Sequence, residues 1–574
     1  MRISLAGSSA ALSFVLMAAF AAPCSAAIDI DLSYVNQSSE QFQRFKNYVD
    51  NAVDGDPDYG FSATDAAYMY KLTGQAQYAN LAVSMVEDQV SQAEAAIASG
   101  QTPEVAGDSY LDAGGMISDL ALTYDWCSSF VTSSQRTRWA SYAGQTIFNV
   151  WNPAQARWGE TMQPWSGWSI NNPGNNYYYS FMEATMYWTL ASDDATWMSF
   201  LNTIKIPLLE SYFADLDGGG SREGTGYGLS HRTLFGLYRA WRDAAGNDIG
   251  NANSHMTDSI LWWIHATVPT MDYVAPIGDQ SRVSVPAIYD YHRHLMLEAR
   301  QTTTDATAQS NASWWLHHIS IGEMTSGFNF RHDLLPAGSA SAAPPSDLVY
   351  YGSGTGQLFA RTGWDTGAMW LQFSAGPYVE SHAHQDQGSF TLYENDWLAV
   401  TENIWSHSGI QQGTETNNML RFEHNGSIVE QQVGTTSTMT YTPGAGGSVH
   451  AVANLTPAYD GNSAVGSWQR TIDFASRMLT VHDNYTTGSG TQAIFQVNVP
   501  VHPTISGQTV TAGNLKIQVV SPANATITAV DWTGEDSDYN SGWRVDISGG
   551  SGEYIVQLSS DYEAPEEVFS NGFD

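Results

Sequence analysis

From residue 356 the chain reads Gly356-Gln357-Leu358-Phe359-Ala360-Arg361, then Ala368-Met369-Trp370-Leu371-Gln372-Phe373, then Ser389-Phe390-Thr391-Leu392-Tyr393. Each is a short apolar run of strand length with a period of two, bounded by turn-forming residues, and each predicts a β-strand. The same pattern recurs over 428–432, 477–483 and 494–499, so residues 346–560 are expected to form an antiparallel β-sandwich. Upstream, over about 40–335, the apolar spacing is helical. Ala66-Ala67-Tyr68-Met69-Tyr70-Lys71-Leu72-Thr73-Gly74 followed by Tyr78-Ala79 gives a helix, a glycine stop and the next helix. That rhythm returns over 116–130, 134–150, 177–191, 234–242 and 255–266, and it predicts helical hairpins wound into a toroid or solenoid over 28–336. An Ala/Ser/Pro-rich linker over 337–345 separates the two parts, and an acidic tail follows over 561–574. The fold class expected is α+β and multidomain.

Composition narrows the function. The chain has 574 residues, with 22 Lys+Arg against 58 Asp+Glu, a formal charge of 22 − 58 = −36. Hydrophobic residues at 43% and aromatics at 12% exclude a disordered chain. Such an acidic surface repels nucleic acid and anionic membrane alike, so neither is an expected partner. Arg2, the apolar run 12–22 and Pro23-Cys24-Ser25-Ala26-Ala27 read as a cleaved signal peptide, 1–27, of a secreted or periplasmic protein. Its removal leaves Cys127 as the one cysteine, and therefore no intramolecular disulfide.

Three segments carry chemistry. In Asn171-Asn172-Pro173-Gly174-Asn175-Asn176, four amides in six residues stand at a helix start. A capping loop needs fewer, and amide N–H groups there can neutralise a uronate carboxylate. Asp217-Gly218-Gly219-Gly220-Ser221-Arg222-Glu223-Gly224-Thr225-Gly226-Tyr227 is a glycine-rich loop leading into a helix expected to bear Tyr227 and His231 on one face. It lacks the Gly-Lys-Ser/Thr ending of a phosphate loop. Tyr227 can act as acid or base, or simply be a buried hydrogen-bonding tyrosine. In Gly376-Pro377-Tyr378-Val379-Glu380-Ser381-His382-Ala383-His384, the His-x-His spacing places both imidazoles on one side of an extended strand, as a histidine pair or part of a metal site.

Together the three segments resemble the heparinase II/III-like polysaccharide lyases, the alginate and glycosaminoglycan lyase type. Gly376-Pro377 through His382-Ala383-His384-Gln385-Asp386-Gln387-Gly388-Ser389-Phe390 is similar to that family's Gly-Pro…His-x-His-x-Asp-x-x-Ser-Phe signature. Arg361-Thr362-Gly363-Trp364 is similar to its Arg-x-x-Trp strand, the 217–227 segment to its Asp-Gly…Glu-x-Ser-Pro-x-Tyr segment, and Asn171-Asn172-Pro173-Gly174 to an Asn-Asn-His-Gly turn. The resemblance implies an incomplete (α/α) toroid followed by an antiparallel β-sandwich, with the active site between them. It implies β-elimination on a uronic-acid polysaccharide to give 4,5-unsaturated products. Asn172 would bind the substrate carboxylate, Tyr227 or, for the opposite epimer, His382 would take the C5 proton, and Tyr227 would protonate O4.

Asn175, Asn176, Arg222, Glu223, His231, Arg361 and Trp168 are the expected substrate-binding residues. Trp165, Tyr177 to Tyr179 and Trp405 are further candidates for stacking on sugar faces, and Arg232, Arg282 and Arg293 further candidate cations. Pro173 departs from the family by replacing a catalytic histidine. The chemistry needs no cofactor. The resemblance implies that a structural zinc or calcium in the sandwich would use His384 and Glu402, but Asn417 stands where some members place a third, histidine ligand; His407 or His424 are the substitutes. With so few cations, an unsulfated or lightly charged polymer such as glucuronan, alginate or a hyaluronan/chondroitin backbone is the expected partner. The alternatives are a glycoside hydrolase on the same toroid, using a carboxyl pair drawn from Asp215, Asp217, Glu223 and Asp279, or a non-catalytic carbohydrate-binding protein.

Overall fold

The computed structural model describes residues 28–280 and 284–561. The expected signal peptide, nearly all of the acidic tail and Arg282 lie outside the described residues. The N-terminal part is helical: α1 Glu40–Val53, α2 Ala63–Thr73, α3 Ala76–Ala98, α4 Ala113–Trp126, α5 Ser133–Trp151, α6 Asn176–Ser192, α7 Ala195–Phe200, α8 Ile206–Ala214, α9 His231–Ala245, α10 His255–Ala266, α11 Asp290–Thr302 and α12 Ala306–His318. Local chemistry sets their ends. The Ser39 side chain accepts from Phe42 N–H to start α1, Thr132 and Gln135 form a capping box at α5, and Gly74 ends α2 in the left-handed region at φ 70°. Alternate helices pack side by side, α2 on α4, α4 on α6, α6 on α9 and α9 on α11, as the inner wall of an incomplete (α/α) toroid.

The C-terminal part is antiparallel β. One five-stranded meander runs Val349–Gly352, Gln357–Arg361, Trp370–Ser374, Phe390–Glu394 and Asp396–Ala399 in sequence order. An eight-stranded sheet spans Thr438–Pro443 to Glu553–Ser560, and a second five-stranded sheet is centred on Thr491–Val499. The predicted strand over 428–432 shrinks to Ser427–Ile428. Among the described residues no helix is long and apolar enough to cross a membrane.

The first meander is a shared middle layer. Its strands Gln357–Arg361, Trp370–Ser374 and Phe390–Glu394 are buried at every position, because both faces are covered. Phe359, Trp370 and Tyr393 point into the core that runs through the toroid, while Leu358, Ala360, Leu371, Phe373 and Leu392 point into the sandwich core.

Inside the sandwich Arg470 and Asp483 are both fully buried. Arg470 Nε and Nη2 donate to the two Asp483 oxygens (2.8 and 2.6 Å), Nη1 donates to Gly388 O (2.6 Å), and Trp468 Nε1 donates to Asp483 Oδ1 (2.7 Å). Arg470→Met leaves that carboxylate buried without its cation, so denaturant unfolding should show a loss of about 3–5 kcal/mol. A loss below about 1 kcal/mol would mean that the pair contributes little to the stability of the sandwich.

Candidate active site

The glycine-rich loop owes its course to close backbone packing. Gly224 has φ +87°, and a Cβ there would lie 2.0 Å from Ile277 O; a Cβ at Gly226 would lie 1.7 Å from Asp279 O. No other residue fits at either position. Thr225 N–H donates to Ile277 O (2.8 Å), and this contact sets Tyr227 beside the Ile277-Gly278-Asp279 segment. Asp279 N–H in turn donates to His382 O (2.9 Å), which brings in the loop leading out of the meander. The result is a face-to-face stack of Tyr227 on His382, centroids 3.5 Å apart and planes 3° from parallel, one ring from each part of the chain.

His382 and His384 occupy a turn rather than an extended strand, yet both imidazoles converge on one carboxylate. Asp279 Oδ2 lies 3.0 Å from His382 Nδ1, Oδ1 lies 2.9 Å from His384 Nε2, and Gln412 Nε2 donates to both oxygens. Burial alone would raise the Asp279 carboxyl, but the donors from His382, His384 and Gln412 overcome it and hold the group at about 2. An ionised carboxylate only accepts, so the His382 proton sits on Nδ1 and Nε2 carries the free lone pair.

The amide turn reaches the same place. Buried Lys205 anchors it, donating to Ile170 O (2.7 Å) and Asn171 Oδ1 (2.9 Å). Asn172 Oδ1 accepts Gly174 N–H (3.0 Å) and its Nδ2 donates to Glu380 Oε2 (3.0 Å). Asn175 caps α6, accepting from Tyr177 N–H (3.2 Å), and its Nδ2 donates to Glu223 Oε1 (3.2 Å). Asn175 therefore holds Glu223 instead of facing substrate. Glu223 is fully buried with His382 Nε2 at 4.0 Å, and burial followed by the Glu380 charge pushes its carboxyl well above the ordinary range. Asn176 and Tyr227 share the wall of a cavity of about 660 Å³ at the toroid's inner face.

Other expectations are corrected. Tyr227 and His231 do not share a helix face, because a 3₁₀ turn, Gly228–Ser230, separates Tyr227 from α9. His231 packs among Tyr179, Phe213, Phe235 and His255, and burial, then His255, pulls its imidazole well below the ordinary range: it is a core residue. Arg361 is equally structural, with Nη2 donating to Thr267 O and His265 O and its guanidinium over the Trp364 ring (4.0 Å). Arg293 pairs with Asp333 in the toroid core (3.0 Å). Tyr178 and Tyr179 are buried and cannot stack on a sugar, whereas Trp168 is 48% exposed in the loop before Asn172. Arg222 stays at the seam, donating from Nε to Gly354 O (3.0 Å).

Neither a protein-family model nor a curated protein matches the sequence. Solved structures do match. A heparinase III superposes with a TM-score of 0.61 and 14% identity, over 94% of this chain and 87% of its own. A chondroitin AC lyase of Streptomyces coelicolor A3, bound to chondroitin sulphate, gives 0.57 and 9% identity over 92% and 80%. A mutant heparan sulfate lyase of Pedobacter heparinus gives 0.54 and 14% over 94% and 87%. The chain has the fold of these lyases.

Within this heparinase-like fold the expected metal ligands have the following surroundings. His384 Nε2 is held by Asp279, and Glu402 lies buried against the backbone at Gly542, its carboxyl pushed well above the ordinary range by burial. Asn417 donates to Gly413 O (3.2 Å), and His424 bonds Thr491. Among the described residues the three-ligand cluster is His294, Glu298 and His332, inside the toroid. There Arg239 occupies both Glu298 oxygens (2.7 and 3.0 Å), an arrangement hostile to a cation. Glu380 and Tyr212 were not among the expected site residues, and Asp279 was expected only as a hydrolase carboxyl. Glu380 precedes the His-x-His by two residues, which was the available signal.

Proposed function

We propose that the chain is a polysaccharide lyase that opens a uronate-containing polymer by β-elimination. The observation that carries this reading is the Tyr227–His382 stack, with Asn172 and its Glu380 partner beside it, at the junction of toroid and sandwich. The fold shared with glycosaminoglycan lyases supports it.

Asn172 keeps one amide N–H for a substrate carboxylate, and withdrawing charge from that carboxylate acidifies the C5–H. Either Tyr227 or the free Nε2 of His382 removes this proton, according to the epimer presented. Electrons then move from C5–H into the C4–C5 bond, the C4–O4 bond breaks, and the Tyr227 hydroxyl protonates the departing O4. Asp279 stays ionised and steadies the imidazole throughout.

The substrate is a lightly charged polyuronide or an unsulfated glycosaminoglycan backbone. Glu104, Asp112, Asp119 and Glu183 line the cavity beside Tyr227 together with the single cation Arg232, which suits a ring that carries little sulfate. Export through a cleaved signal peptide fits a polymer-degrading role.

The test is ultraviolet absorbance of the unsaturated product on glucuronan, alginate, hyaluronan, chondroitin and heparan sulfate, alongside reducing-end release. A rise on one polymer is expected. New reducing ends without that absorbance would identify a hydrolase, and polymer retention with neither signal a binding protein.

A further inference from the structure

Asn172 presents a fully oriented amide. Its oxygen is committed to Gly174 N–H, one N–H goes to Glu380 Oε2, and a single N–H remains for a ligand. Glu380 is 6% exposed, and its other oxygen accepts from Tyr212 OH on α8 (3.3 Å). The charged and titratable groups facing it are Arg222 and Glu223 from the glycine-rich loop, His382 from its own loop, Tyr212 from α8 and Tyr179 from α6, with Asp279 behind Glu223. Arg222 gives no close ion pair, since its Nε is spent on Gly354 O. Pro173, in the turn between, has no proton to give.

A uronate carboxylate bound to the remaining Asn172 N–H would share one nitrogen with Glu380. Two acceptors on one nitrogen lie about 5 Å apart. Two negative charges at that separation in a half-buried site would weaken binding on the order of a hundredfold. Arg222 offsets only part of this, because it makes no close ion pair with Glu380.

We propose that the substrate carboxylate binds together with a proton carried by Glu380, giving a carboxylic acid–carboxylate pair bridged by the Asn172 amide. The proton comes from solvent on binding and returns to it when product leaves. Tyr212 orients the acid, and Glu380 is a carboxylate-binding residue in its own right. Burial raises the Glu380 carboxyl against the opposing donors Asn172 and Tyr212, in the direction that favours its taking up a proton. The inference rests on the lyase reading of the site.

The experiment is calorimetric titration of full-length Tyr227→Phe, from about pH 5 to about pH 9, in two buffers of different ionisation enthalpy. The ligands are unsaturated-end-free oligomers of glucuronan, alginate and chondroitin. Expected is uptake of about one proton per carboxylate bound and a Kd that rises about tenfold per pH unit above the transition. Glu380→Gln, neutral at every pH and able to donate, should bind with a flat profile and no proton uptake in the same background. Binding that is flat with pH in Tyr227→Phe overturns the proposal, as does an unchanged slope in Glu380→Gln. Tight binding by an unmodified chain that never forms unsaturated product would remove the lyase chemistry and leave the proton-linked site standing. No binding of any oligomer at any pH would remove both.

Discussion

Tyr227→Phe is expected to lower kcat on the cleaved polymer by about 10³-fold or more, with Kd changed by less than about threefold. The phenyl ring keeps its face on His382, so the stack and the loop beneath it persist. What disappears is the hydroxyl that the proposed mechanism uses to protonate O4 and, for one epimer, to deprotonate C5. A general acid–base group contributes about 10²–10⁴ in rate, and one that serves both transfers belongs at the upper end. Initial rates of absorbance rise and the Kd of the same oligomer measure the two quantities. Residual activity above about a tenth would exclude Tyr227 as the proton carrier.

Asp279→Asn should cost about 10²-fold or more in kcat while KM moves little. The carboxylate accepts from His382 Nδ1 and His384 Nε2 at once and takes both Gln412 contacts. An asparagine has one acceptor oxygen, so its NH₂ must face an imidazole nitrogen. Where that nitrogen is His382 Nδ1, the proton moves to Nε2, and the lone pair that faced the cleft is lost. Nitrogen-15 shifts of the His382 ring report the tautomer directly and separate this effect from simple loosening. A ring that keeps Nδ1–H with a hundredfold slower enzyme would assign Asp279 another task.

Much of the architecture was legible because side-chain period reports burial. Leu358, Phe359 and Ala360 are all apolar because each face of their strand meets a different core, a pattern that still reads as a short strand between turn residues. The reading of α10 as 255–266 coincides with His255–Ala266, where the apolar stripe is long and Pro and Gly flank it. Position along the chain was less informative than spatial convergence. Tyr227, His382 and Asn172 come from segments with unusual composition and were visible. Tyr212 was hidden on an apolar helix, since nothing local distinguishes a tyrosine that orients a carboxyl from one that packs. His231 and Arg361 failed for the opposite reason: each lies near a motif but is turned inward by the helix or strand that carries it. A polar residue beside a motif is as readily a strut as a contact.

The middle meander has one more consequence. Its strands contribute alternate side chains to the toroid and to the sandwich, so neither core can melt without exposing half of that sheet. Tyr227 and His382, stacked across the junction of the two parts, are held in register by that shared sheet. Such a molecule should lose catalysis and structure at a single temperature, its activity surviving up to the calorimetric midpoint instead of fading some degrees before it. On the proposed function, a polymer would then enter along the seam of a site whose two sides share one sheet.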